Sequence, residues 1–364
     1  MTGTDTRKAA VVAFAQTDHV RAADGLSEVE MLLPVLREVL DRTGLSTGEI
    51  DFTCSGSSDY LAGRPFSFTM ALDGVGAWPP ISESHVEMDG AWALYEAWVK
   101  LLTGEADTAL VYAWGKSSPG DLPMVLTRQL DPYYLAPLWP DSVSLAALQA
   151  RSVLDAGLAD EEELAGIAAH SRRAAEDNPH VRQRGPAART AGGYLAAPLR
   201  AHDVPPVTDG AAAVVLAAGD AVDRLTDHPV WISGMDHRIE AHGLGVRDLT
   251  DSPSTRLAAE RAGLFDPGAP PPDIAELHAP FTSQEVILRN ALRLGEETVV
   301  NPSGGPLAAN PVMAAGLVRI GEAAARLARG EGRRAVAHAT SGPCLQHNLV
   351  AVLDTDGAAE GEPR

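Results

Sequence analysis

Two cysteines in 364 residues, Cys54 and Cys344, are too few for a disulfide framework and lack the close ligand pairs of a structural zinc site. A reducing compartment and no metal are expected. No apolar run approaches the roughly 18 residues that a membrane span requires, and the start, Met1 to Thr17, has no continuous apolar stretch ahead of a small-residue cleavage site. These absences predict a cytoplasmic protein with no membrane contact. Positive charge is scarce too: 29 Lys and Arg against 49 Asp and Glu give a net charge of −20, which repels nucleic acid and anionic lipid at long range. What is present, 45% hydrophobic residues and an ordinary 21% charged, suits a globular chain with one large core or two fused ones.

The chain reads as a duplication. Lys8 to Phe14 and Pro229 to Gly234 are buried-strand patterns that open two halves in the same way. Glu49 to Ser55 matches Pro272 to His278, with the aspartates Asp51 and Asp273 in equivalent places. The apolar helix Gly90 to Leu101 and its following turn and strand, Gly104 to Tyr112, match the helix Met313 to Leu327 and the turn and strand Gly330 to His338. Strands alternating with helices predict an α/β fold of mainly parallel sheets covered by helices. Between the halves, a stretch rich in Pro and Arg contains one clear helix, Asp160 to Glu176, whose first turn is acidic. The expected domains are 1–116 with 204–220 as the first half, 117–203 as a loop domain, 221–357 as the second half and 358–364 as a disordered tail.

Four segments carry a family resemblance. Pro206 to Leu216 contains Asp209-Gly210-Ala211-Ala212-Ala213 and resembles the DGAAA motif of thiolases. Glu276 to Thr282 resembles the HDCF variant of the thiolase NEAF motif, Asn301 to Pro311 the NxxGG...GHP segment, and Leu345 to Leu349 the LQHNL run of sterol carrier protein X and bacterial lipid-transfer-type thiolases. The resemblance implies the thiolase fold: two duplicated βαβαβαββ halves in αβαβα layers, with a loop domain.

The same alignment implies that the chemistry has changed. Glu87 stands where the family places its nucleophilic cysteine, ahead of Gly90 and the first buried helix. Asn310 replaces the GHP histidine, and an amide cannot accept a proton at neutral pH. Thr340-Ser341-Gly342 and His278-Ala279-Pro280-Phe281 stand where the second cysteine is sought, with Cys344 a few residues later. Asp89 has the residue type and position of a helix N-cap. The candidate catalytic residues are therefore His278, Asn310, Glu87, Cys344 and His347. His278 and Asn310 can still form an oxyanion hole, which needs donors and no nucleophile. Arg182, Arg184 and Arg189, in a basic cluster with Arg172 and Arg173, and Gly305 are candidates for holding coenzyme A, since relatives bind its nucleotide on the loop domain.

The resemblance implies an acyl-CoA thioester as substrate, with no covalently bound cofactor. Three functions fit: retro-aldol cleavage of a β-hydroxyacyl thioester, as in lipid or steroid side-chain degradation; an inactive acyl-CoA-binding or scaffolding subunit; and acyl transfer with Cys344 as nucleophile. A homodimer or a heterodimer with a thiolase-like chain is expected, as is a small OB-fold and zinc-ribbon partner.

Overall fold

The computed structural model describes residues 7–78, 80–181 and 192–356. Its first half runs β1 (Ala9–Gln16), α1 (Glu28–Thr43), β2 (Phe52–Gly56), α2 (Asp59–Ala62), α3 (Thr69–Val75), β3 (Glu83–Val86), α4 (Gly90–Thr103) and β4 (Thr108–Gly115). An insertion follows with α5 (Leu122–Arg128), α6 (Ser142–Asp155) and α7 (Glu161–Glu176), and β5 (Gly210–Ala218) completes the half. After the short α8 (Ala221–Leu225), the second half runs β6 (Val230–Ile239), α9 (Pro253–Arg261), β7 (Ile274–Leu277), α10 (Thr282–Ala291) and β8 (Val299–Val300). It ends with α11 (Gly305–Ala308), α12 (Ala315–Ala328), β9 (Arg334–Ser341) and β10 (His347–Asp354).

The duplication is visible in the strand order, β3-β2-β4-β5-β1-β6-β10-β9-β7-β8, which reads as the same half twice about a central seam. At the seam β1 and β6 pair antiparallel through Ala10 with Trp231 and Val11 with Val230. The parallel arrangement expected from alternating strands and helices holds for β3, β2 and β4, and for β8, β7 and β9. It fails at β5 and β10, which run antiparallel to both neighbours. For β10 the reason is the connection. Residues 342–346 are too few for a crossover helix, so β10 must return as a hairpin beside β9.

Helices α4 and α12 form the central layer, sharing one apolar cluster with residues from both halves of the sheet. A helix between two sheets must be apolar nearly all round; α12 is buried without a break from Ala315 to Ala324. Close approach here depends on glycine. A Cβ on Gly90 would lie 2.5 Å from that of Ala113, and one on Gly316 would lie 2.6 Å from that of Ala339. The outer layers are ordinary amphipathic helices. α1 buries Met31, Leu32, Val35, Leu36 and Val39 against the first half, between a Ser27–Glu30 capping box and left-handed Gly44. On the far side α9 and α10 cover the second half.

The insertion holds three helices where one was expected. α7 agrees with that expectation and is capped by Asp160; α5 and α6 are additional, α6 starting at an Asp141 cap. This insertion leans on the second half: His170 Nε2 meets Val300 O at 2.8 Å, Asn178 Nδ2 donates to Ser303 O at 3.0 Å, and Gln284 Nε2 donates to Gln149 Oε1 at 3.1 Å.

Candidate active site

β7 delivers His278 to the C-terminal end of the second half-sheet, where the imidazole is held from both sides. The Thr340 backbone N–H donates to Nδ1 at 3.3 Å, so the ring proton resides on Nε2, which faces Asn310 Oδ1 at 3.1 Å. The tautomer follows from that backbone donor. Burial, with the neighbouring His338 and Arg319, pushes the His278 pKa down to about 3 against the support of the Asn310 hydrogen bond. The ring is therefore a neutral donor at physiological pH. Because His278 takes up Oδ1, the Asn310 amide turns its Nδ2 hydrogens toward other acceptors, and Thr208 Oγ1 fixes the backbone by accepting from Asn310 N at 2.9 Å.

The remaining candidates stand elsewhere. Glu87, half exposed, accepts from the Asp59 backbone N–H at 2.6 Å and lies 3.5 Å from His85 Nε2, so it caps α2 rather than meeting His278. His347 packs in an aromatic group, 5.0 Å between ring centroids from Trp92 and 5.6 Å from His237; burial lowers its pKa, with His237 adding to the effect. Cys344 is buried, its thiol directed at Leu145 O at 3.4 Å and its pKa pushed up to about 11 by burial. It packs under α6, away from the His278–Asn310 pair. Gly305 is buried with a positive φ of 60°, and a Cβ there would lie 2.9 Å from Asn301 Cγ, which gives it a packing role. Arg182, Arg184 and Arg189 lie outside the described residues.

Two buried charges frame the pair. Asp89 caps α4 through Ala91 N at 2.9 Å and also accepts from Gly316 N at 2.9 Å and Leu317 N at 3.0 Å, the first turn of α12. One carboxylate thus joins the two central helices, while Gly90 N donates to Met313 O at 2.8 Å and ties together the loops bearing Glu87 and Asn310. Glu276, two residues before His278, is completely buried and accepts from Arg319 Nη1 at 2.7 Å, Ser303 N at 2.9 Å and Ser303 Oγ at 2.7 Å. Burial raises its pKa and Arg319 opposes the rise.

No family model matches the chain. Over 177 residues it is 30% identical to the acetyl-CoA acetyltransferase of Methanothermobacter thermautotrophicus, a match covering 43% of this chain and 45% of that protein. The matched stretch therefore spans less than half of that relative's length. Among solved structures the chain resembles the Ltp2-ChsH2(DUF35) aldolase, with a TM-score of 0.78 at 18% identity over 96% of this chain and 98% of that one. It also resembles human mitochondrial 3-ketoacyl-CoA thiolase, with a TM-score of 0.74 at 16% identity over 96% and 99%. The fold is the thiolase fold.

Within this thiolase fold, the structure adds three residues that the sequence reading did not single out for the site. Thr208, beside the Asp209-Gly210 pair, holds Asn310; the Thr340 backbone sets the His278 tautomer; and Asp89 caps a second helix as well as its own. Thr208 was findable from its place beside a recognisable motif. A backbone donor leaves no side-chain signal, and a contact between residues 89 and 316 is not legible from local pattern. Among the described residues, no group of three or more His, Cys, Asp or Glu side chains is placed to hold a metal, and no helix is long and apolar enough to cross a membrane.

Proposed function

We propose that this thiolase-fold chain acts on acyl-CoA thioesters by retro-aldol cleavage of a β-hydroxyacyl group, without acylating any side chain. The observation that carries this reading is the His278–Asn310 pair. His278 is a neutral donor that orients the Asn310 amide, leaving Asn310 Nδ2 to stabilise a thioester oxygen as negative charge develops on it. In the reaction a base removes the β-hydroxyl proton, the O–H electrons become a carbonyl, the Cα–Cβ bond breaks, and its electron pair enters the thioester enolate. The same proton returns to Cα. The products are a ketone or aldehyde and a shorter acyl-CoA. The likeness to an aldolase and a thiolase supports the substrate class. In this reading residues 117–203 form a loop domain over the site and Arg182, Arg184 and Arg189 contact the coenzyme A phosphates. The chain works as a dimer, with a partner protein in keeping with the two-part name of the Ltp2-ChsH2(DUF35) aldolase.

A second reading, a thioester-binding or scaffolding subunit, is favoured by one observation: both ring nitrogens of His278 are already engaged within the chain. Incubation with β-hydroxyacyl-CoA substrates, alone and with an OB-fold partner, separates the two. Release of a carbonyl compound and a shortened acyl-CoA, lost in Asn310→Ala, supports cleavage. Thioester binding with no product under either condition supports the subunit reading.

A further inference from the structure

Asn310 lies in the turn between α11 and α12, so neither helix fixes it, and Pro311 after it has no N–H to donate. Its own backbone N–H donates to Thr208 Oγ1 at 2.9 Å. Thr208 is buried just ahead of β5, so a residue of the second half is held by a side chain of the first. The next residue, Asp209, is completely buried and accepts from Ala23 N at 2.9 Å, Ser118 N at 3.0 Å and Ser118 Oγ at 2.5 Å.

The Ser118 segment returns to the same turn. It leaves β4 at Gly115, which pairs with Gly210 of β5 and backs so tightly against Pro311 and Val312 that a Cβ there would lie 2.2 Å from Val312 O. The contacts close into a ring: Thr208 to Asn310, along the chain to Val312, across to Gly115, along to Ser118, and back to Asp209 beside Thr208. An asparagine amide hangs on two rotatable bonds from its Cα. His278 Nε2 fixes the far end through Oδ1 at 3.1 Å, and Thr208 fixes the backbone end. With both ends held, Nδ2 keeps one direction; with the backbone released, the donor is aimed for only part of the time.

We infer that Thr208 and Asp209 form a positioning unit for Asn310, Thr208 through its direct bond and Asp209 by holding the ends of β4 and β5 against the turn. The inference rests on the reading of Asn310 Nδ2 as the donor to the thioester oxygen, and adds what keeps that donor in place.

Two measurements test it, one of them independent of any ligand. Nitrogen-15 NMR of the His278 Nε2–H reports its bond to Asn310: Thr208→Val, which keeps the shape and removes the acceptor, is expected to shift this resonance and speed its solvent exchange about tenfold, and Thr208→Ser to leave both as in the wild type. Calorimetry compares acetyl-CoA with a coenzyme A derivative in which a nitronate replaces the thioester enolate. Thr208→Val is expected to weaken the nitronate about tenfold and acetyl-CoA by less than about twofold, with Thr208→Ser restoring the difference. Asp209→Asn is expected to weaken the nitronate too, and to add less than about twofold to Thr208→Val, because both act on one turn. An unchanged His278 resonance and nitronate affinity in Thr208→Val overturns the positioning role while the thioester reading stands. A shifted resonance in a protein whose wild type binds neither coenzyme A probe keeps the positioning role and overturns the thioester reading.

Discussion

Asp89 accepts a hydrogen bond from the backbone of Gly316 at 2.9 Å, so a side chain of the first half closes the N-terminus of the central helix of the second. The same carboxylate receives Ala91 N and Leu317 N, and is 2% exposed. All three neighbours are donors, which suits an ionised group at two positive helix ends. Burial nevertheless dominates and lifts its pKa from 3.8 to about 6.

Replacing Asp89 by Ala strands three buried N–H groups and is expected to cost roughly 3 kcal/mol or more in urea unfolding. A raised carboxyl pKa means that this group's contribution is fully present below pH 3.8 and is lost as pH rises through 6. The stability advantage of the wild type over Asp89→Asn should therefore shrink by about 2 kcal/mol between pH 4 and pH 7. An advantage that grows over this interval contradicts the assignment.

The buried histidines respond in the opposite direction. Burial lowers His19 and His278 to about 3 and His338 to about 4. Stability due to each is present above the unfolded value of 6.5 and is lost as pH falls toward the folded one. Removing one of them, in His338→Gln, should reduce the slope of unfolding free energy against pH near 5 by about 1.4 kcal/mol per pH unit. An unchanged slope would show that His338 is protonated in the folded chain. For the same reason, turnover should show no inflection near pH 6.5 from His278.

Cys344 offers a direct comparison with thiolase chemistry. Its buried thiol, pushed up to about 11, should resist iodoacetamide in the native protein, and Cys344→Ala should leave any turnover within about twofold of the wild type. Rapid native labelling, or loss of activity in the variant with its fold intact, would restore it as a nucleophile.

Glu276 and Arg319 form a buried ion pair behind His278. Arg319→Met leaves the buried Glu276 carboxylate with only the longer 3.9 Å pairing to Arg326 and should destabilise by about 3 kcal/mol, whereas the double replacement with Glu276→Gln should recover most of that loss. A double variant no more stable than the single one would argue that Arg319 acts through packing instead.

Much of the fold was legible because its signals are local. Gly90 to Leu101 is too apolar for a surface helix, Asp160 and its acidic followers announce a helix start, and the repeated strand patterns mark the duplication. The antiparallel course of β5 and β10 was not, because periodicity carries no direction. Helix α6 was hidden in a stretch read for its Pro and Arg content. At the site, the sequence identifies His278 and Asn310 as residue types suited to donate, and the structure brings them within 3.1 Å. It does not bring Glu87, His347 or Cys344 to them, since each finds a nearer partner: the head of α2, the Trp92–His237 rings and Leu145 O. Such competition between partners is a tertiary matter and leaves no trace in spacing.

Intact-protein mass spectrometry on samples quenched during turnover of a β-hydroxyacyl-CoA tests the central claim most directly. The account predicts an unmodified polypeptide mass while the carbonyl product and shortened acyl-CoA accumulate. A mass increased by the acyl group, mapping to any side chain, would contradict it.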